Sequence, residues 1–298
     1  MLLNPQKVKL AIAPIAWTND DLPDLGAENT FEQCISEMAL AGFSGCEVGN
    51  KYPKDISVLK KKLSLRGLQI CNAWFSSHLL GEGYEKTIAA YKEHMNFLKE
   101  LGAKVIGASE QSNSIQGKDL NIFKNKPTYD EEQWKRLIEG FNEMGRLANE
   151  KGMYFTIHHH MGTGVQTAEE IDYLMANTQE DLVYLLYDTG HLAFAGEDSI
   201  AVLNKHIKRI KHVHLKSIRN SKLESAKQKG LSFLQAVRSG VFTVPGDGDY
   251  DFVPVFEILA QNNYEGWIVV EAEQDPALAN PFEYAKLART YIKEKTGL

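Results

Sequence analysis

The chain has 298 residues, 43% of them hydrophobic and 24% charged, which suits a globular protein and leaves room for two small domains or one α/β barrel. A formal charge of −6 argues against a phosphate-facing nucleic-acid surface, which needs a basic excess. No stretch reaches the ~18 apolar residues of a membrane span, and the three cysteines, Cys34, Cys46 and Cys71, sit in apolar contexts without CxxC spacing, as reduced core residues of a cytoplasmic protein would.

The opening stretch MLLNPQKVKLAIAPIAW has no long apolar region with a small-residue cleavage site, and it is expected to lead into a strand. The first β-rich run is KLAIAPIAW, 9–17, and a helix with Phe31, Ile35 and Met38 on one face follows. Run two is GCEVG, 45–49, and a helix around 56–64 stops at Gly67. Run three starts at Leu68 with LQICNAWFSS, a long helix covers roughly 84–101, and run four is KVIGASE, 104–110. A polar, irregular stretch, 111–127, leads to Pro127-Thr128-Tyr129-Asp130, which opens an amphipathic helix to Lys151. Run five is YFTIHHH from Tyr154, run six LVYLLYDTGH from Leu182, run seven IKHVHLKSIR from Ile210, and run eight GWIVVEAEQD from Gly266. A last helix runs through 284–293.

Eight strands, each followed by a helix-bearing segment, predict a single α/β domain over 1–298, a (β/α)8 TIM barrel. A doubly wound sheet is the competing architecture. It ordinarily carries a Gly-rich turn after its first strand, where this chain has AWTNDDLP. Barrel chemistry sits at the C-terminal ends of the strands. The polar residues there are Glu47, Glu110, His158, His160, Asp188, His191, His212, His214, Lys216, Glu271 and Glu273.

Strand alternation sharpens that set. His158 and His160 are two apart and share a face, while His159 faces the other way; His212, His214 and Lys216 share a face, as do Glu271 and Glu273. A lone histidine or glutamate at a strand end is more often hydrogen-bonded or solvated than functional. Several converging on one barrel axis are costly unless paired or bound to a cation. A mixed imidazole and carboxylate set suits a divalent metal such as Mn²⁺, Co²⁺, Fe²⁺ or Zn²⁺. Trp17, Asn19, Asn72 and Trp74, at early strand ends, are expected to offer hydroxyl partners and flat apolar surface, or else to be ordinary core residues. The loop FTVPGDGDYDF, with Gly246 and Gly248 around Asp247, is a candidate cap.

Asp188 in YDTGH, His214 in HVHLK and Glu271 in VVEAEQDP match the metal-ligand positions of the xylose-isomerase-like barrels, and the chain resembles that superfamily. Within it the chain is most similar to the inosose dehydratases of myo-inositol catabolism, through APIAWTNDDLPDLGAENTFEQC, GCEVGNKYPKD, NAWFSS, HHHMGTGVQT, FTVPGDGDYDF and GWIVVEAEQDP, matches that span essentially the whole chain. The resemblance implies a lyase that removes water from scyllo-inosose to give a trihydroxycyclohexane-1,2-dione. The same fold and metal would also serve a sugar or cyclitol epimerase or isomerase. It implies a divalent metal, Mn or Co foremost, held by Asp188, His214 and Glu271. The superfamily's strand-five glutamate is absent here. His158 takes its slot as fourth ligand, with Glu110 and Glu273 as the other candidates for that place or for substrate contact. His160, His191 and Lys216 are the residues expected to transfer protons and polarise the substrate. The resemblance further allows glutathione as a cofactor and a homo-oligomer, with a small cyclitol as the partner molecule and no nucleic acid or membrane.

Overall fold

The computed structural model describes residues 2–298. Its barrel strands are β1 (Val8–Ile12), β2 (Gly45–Glu47), β3 (Gln69–Asn72), β4 (Trp74–Ser77), β5 (Val105–Glu110), β6 (Tyr154–His158), β7 (Val183–Asp188) and β8 (Ile210–Leu215). Two short strands, β9 (Ser217–Ile218) and β10 (Phe242–Thr243), pair antiparallel outside the barrel, and β11 (Gly266–Val270) is its last stave. All barrel pairings are parallel, in the order β3-β2-β1-β11-β8-β7-β6-β5-β4. The two ends of that order, β3 and β4, are halves of the third run, separated only by Ala73. The ring of eight therefore closes through one interrupted strand, and the expected TIM barrel is the fold observed.

The seam is held by a side chain. Asn72 Oδ1, at the end of β3, accepts from the Gly107 N–H of β5 at 2.7 Å, across the break between β3 and β4. Gly107 has no room for anything larger, because a Cβ there would lie 2.9 Å from Asn72 Nδ2 and 3.0 Å from Leu186 Cδ1.

Around the barrel lie α1 (Phe31–Leu40), α2 (Ile56–Ser64), α3 (Tyr84–Glu100), α4 (Glu131–Glu150), α5 (Ala168–Asn177), α6 (Thr189–Ala195), α7 (Ser199–His206), α8 (Asn220–Lys229), α9 (Phe233–Arg238), α10 (Val253–Gln261) and α11 (Pro281–Thr296). Several start on side-chain caps that satisfy the free N–H groups of the first turn. Thr30 caps α1, and full capping boxes open α4 (Asp130 with Gln133) and α5 (Thr167 with Glu170). Outward strand residues such as Phe155, Ile157, Leu185, Val213, Leu215, Ile268 and Val270 join the helices in the main core. Their alternates face the axis, where Ala11, Ala13, Cys71 and Val269 form a separate small-residue layer.

The two long insertions follow β5 and β8. The first is irregular, as expected. The second contains α8, α9 and β10. Phe233, Val237 and Phe242 from it pack with Ile115, Ile122, Met161 and Phe194 into a second apolar cluster. Among the described residues no helix is long and apolar enough to cross a membrane.

Candidate active site

β7 delivers Asp188 at its last position, and the same residue caps α6. Its Oδ1 accepts from Gly190 N (2.7 Å) and His191 N (2.9 Å), which fixes the carboxylate and leaves Oδ2 buried without a donor. Gly190 is a necessity of packing, since a Cβ would sit 2.4 Å from Lys216 Cγ. On the axis side of β8, His214 places Nδ1 at 3.5 Å from Asp188 Oδ2. Glu271, one residue past β11, sets Oε2 against that same nitrogen, in contact but without hydrogen-bond alignment. His158, the last residue of β6, brings Nε2 to 3.6 Å from Asp188 Oδ2, while its Nδ1–H donates to the His159 carbonyl at 2.6 Å.

One ligand atom from each of His158, Asp188, His214 and Glu271 lies within 4.8 Å of all the others. Three of them, Asp188 Oδ2, His214 Nδ1 and Glu271 Oε2, are buried and have no hydrogen-bond partner. Buried polar atoms are seldom left so, and three aimed at one point fit a cation. The donor set, two imidazoles and two carboxylates, is that of a divalent transition metal.

The local charges agree with that fit. Burial works against ionising Asp188, but Lys216 and His191 outweigh it and hold the carboxyl well below its usual range. Glu271 is drawn down to about 2, because Lys216 and His214 overcome its burial. Burial pushes His158 down to about 4, which keeps the ring neutral and its Nε2 lone pair free. His214 is opposed by burial yet raised by Glu47 and Glu271, one carboxylate on each nitrogen. A divalent cation at Nδ1 would take the place of that proton.

A second group adjoins the first. The Lys216 ammonium, fully buried, lies 3.0 Å from His191 Nε2, 3.2 Å from Glu271 Oε1, 3.3 Å from Glu273 Oε2 and 3.7 Å from Asp188 Oδ2. Burial opposes its charge, but Asp188, Glu271 and Glu273 raise it beyond the ordinary lysine value. Those three carboxylates favour the charged form of Lys216. Glu273 is lifted by burial to about 8 despite that lysine. His160 donates Nδ1–H to the Met161 carbonyl (2.9 Å), which leaves Nε2 as its free nitrogen. β6 ends at His158, yet His160 still reaches the axis side, and Trp74 packs edge-on against both rings at 5.5 and 5.6 Å.

These groups open onto a cavity of about 140 Å³ at the C-terminal ends of the strands. His158, His160, His214, Glu271, Glu273, Asn72 and Trp74 line it; Lys216 and His191 stand directly behind that wall. Glu47, Asp20, Asp21 and Gln116 line it too. Sequence reasoning noted Glu47 only as a strand end and passed over the other three, which lie in loops without strand periodicity.

Three expected contacts stand elsewhere. Trp17 is fully buried in the main core, its indole N–H on Glu37 Oε2 at 2.6 Å. Asn19 uses Oδ1 to accept from Asp21 N and Leu22 N, closing a turn. Glu110 accepts from Ser77 Oγ and Leu79 N on one oxygen and from Ser112 N and Oγ on the other, which makes it an anchor of the neighbouring loops. The Gly246–Gly248 loop ties Asp247 to Arg219 and Thr243 rather than to the pocket.

A larger cavity, about 670 Å³, lies at the opposite mouth, among Lys7, Lys9, Lys104, Lys211 and Trp267. It gathers no metal-ligating cluster, and barrel chemistry belongs to the other face.

Residues 35–295 match the profile of the xylose isomerase-like TIM barrel family. An inosose dehydratase of Clostridium beijerinckii is 64% identical over 297 residues, covering 99% of this chain and 100% of the relative. One of Geobacillus thermodenitrificans is 62% identical, with full coverage of both. Among solved structures, the IolI protein with a binding zinc atom superposes with a TM-score of 0.72 at 16% identity, covering 97% of this chain and 98% of that one.

Proposed function

The chain belongs to the inosose dehydratases, within the xylose isomerase-like TIM barrel family, and from that membership we propose which of its residues carry the reaction. It is an enzyme of inositol catabolism, a hydro-lyase that removes water from an inosose. Asp188 Oδ2, His214 Nδ1, Glu271 Oε2 and His158 Nε2 would hold a divalent cation, for which the mixed donor set suits Mn²⁺, Co²⁺, Fe²⁺ or Zn²⁺ and the family resemblance favours Mn²⁺ or Co²⁺. The observation that carries this is the convergence, beside the pocket, of three buried ligand atoms that make no hydrogen bond. When bound, the cation supplies Lewis acidity toward the ketone oxygen of scyllo-inosose, the substrate we assign.

The protein's own groups do the rest. The α-proton of a ketone must be taken and the β-hydroxyl must leave protonated. His160, with Nδ1 locked on a carbonyl and Nε2 free at the wall, is placed to take the proton. Glu273 shares that wall and is the group placed to protonate the leaving hydroxyl. Lys216 and His191 hold this pair from behind. Lys216 offsets the charge of Glu271 and donates to Glu273, and His191 meets it at 3.0 Å. Asn72, Asp20, Asp21 and Gln116 offer hydrogen bonds to ring hydroxyls, and Trp74 a flat face. The buried, unpaired Cys34, Cys46 and Cys71 suit a cytoplasmic setting.

The test is metal analysis of the purified protein, then an assay on scyllo-inosose before and after chelation. Loss of water that chelation stops and Mn²⁺ or Co²⁺ restores supports the reading. An isomer of unchanged mass would move the protein to the epimerases. Full turnover after complete metal removal would overturn the ligand set.

A further inference from the structure

Glu47 has no place in the chemistry above, yet it is buried at the same site. Its Oε1 accepts three hydrogen bonds, from Asn72 Nδ2 at 2.8 Å, His212 Nε2 at 2.9 Å and His214 Nε2 at 3.0 Å. An ionised carboxylate can only accept, so both rings must carry hydrogen on Nε2. For His214 that commits Nδ1 to the cluster, where it faces Asp188 Oδ2 and Glu271 Oε2. Asn72 is itself fixed by the Gly107 N–H at the barrel seam. We infer that Glu47 is a positioning residue: it reaches across the barrel from β2 to β8, locks the orientation of His214, and directs Nδ1 at the metal.

This rests on the assignment of His214 as a ligand. The alternative, a second metal between Glu47, His212 and His214, which also lie within ligand distance of one another, fails on chemistry. His214 would have to give up the hydrogen on both nitrogens and bridge two cations. A carboxylate behind a metal-bound imidazole fixes the ring's tautomer and orientation, and losing it costs 10- to 100-fold in affinity.

The experiment uses the full chain, stripped of metal and titrated with Zn²⁺ against a chromophoric chelator. It is joined to ¹⁵N-histidine NMR of the Zn²⁺-loaded protein. Glu47→Ala is expected to weaken Zn²⁺ about 10- to 100-fold. Glu47→Gln, which keeps an acceptor oxygen, should recover part of that loss. In the wild type, His214 should hold zinc on Nδ1 and hydrogen on Nε2. Three results would overturn the inference: an Ala variant that binds like wild type, a Gln variant no better than Ala, or zinc on His214 Nε2. If the Ala variant does not fold, the wild-type assignment alone decides, because zinc on Nε2 leaves Glu47 no role. A wild type that binds zinc on Nδ1 but dehydrates no inosose with Mn²⁺ or Co²⁺ would sink the dehydratase reading and leave Glu47 standing.

Discussion

The late and early strand ends of this barrel carry similar residues and do different work. At the ends of β6, β7, β8 and β11, His158, Asp188, His214 and Glu271 turn ligand atoms toward one point, and three of those atoms find no partner. Past the end of β1 and at the end of β5, Trp17, Asn19 and Glu110 are as deeply buried, yet each is engaged by its own surroundings: Glu37, the Asn19–Leu22 turn, and the loops after β4 and β5. Residue type does not separate the two groups. What separates them is whether the local backbone already uses the polar atom. A carboxylate whose lone pairs are filled is scaffold, and one left open in a buried place is chemistry.

The sharpest way to break this contrast is to remove an open atom. Asp188→Asn or Glu271→Gln should cost metal affinity at least about 100-fold, more than a change behind the ligands would, and activity should go with it. Metal content after dialysis measures it. A variant that retains full metal and full turnover removes that residue from the set.

The opposite effect is expected at Glu110. Glu110→Ala strands the buried Ser77 hydroxyl and the Leu79 N–H, and each unsatisfied group costs about 1–3 kcal/mol. Urea unfolding should show the loss while the folded fraction binds metal as before. Weakened metal binding at unchanged stability would return Glu110 to the ligands.

His159 sits between the two groups. It is fully buried and faces away from the ligand point, as alternation predicts, but its Nε2 accepts from the Asp188 N–H at 3.1 Å. It holds the strand end that carries a ligand. His159→Ala should therefore cost metal affinity on the order of 10-fold, the lower end for a group behind the ligands and well short of His158→Ala. Equal losses for the two would mean that the face of the strand does not decide the role.

Most of the late-strand site was legible because buried parallel strands keep a strict period of two. Once β6, β7, β8 and β11 are recognised, the inward residues follow from counting. The early-strand residues were harder to read. Whether Asn19 or Glu110 is open depends on loop backbone, and loops have no period. Glu47 was hidden for another reason. Its partner His212 lies 165 residues away and on the far side of the barrel, so no local pattern links them. The interruption at Ala73 was equally silent, since both halves of the run read as one strand. Lys216 was visible as an inward residue, but its charged form depends on three carboxylates from other segments.

The smallest expected effect concerns a loop residue that reaches the pocket. Asp20 lines the cavity with its surface still exposed to solvent, and partial desolvation there, helped by Asp21 against a backbone hydrogen bond from Asn50, lifts it from 3.8 to about 6. A carboxyl raised on folding binds its proton more tightly in the folded state, so stability falls as pH rises between about 3.8 and 6. Above that window wild type carries the full penalty, and below it none. Asp20→Asn carries no such charge. Its stability relative to wild type should be greatest at pH 7 and should shrink toward zero near pH 4, by a modest amount because solvent at the pocket rim screens the group. Thermal unfolding of both proteins across that range reads it directly. A difference that stays constant with pH would mean Asp20 is solvated like any surface carboxylate.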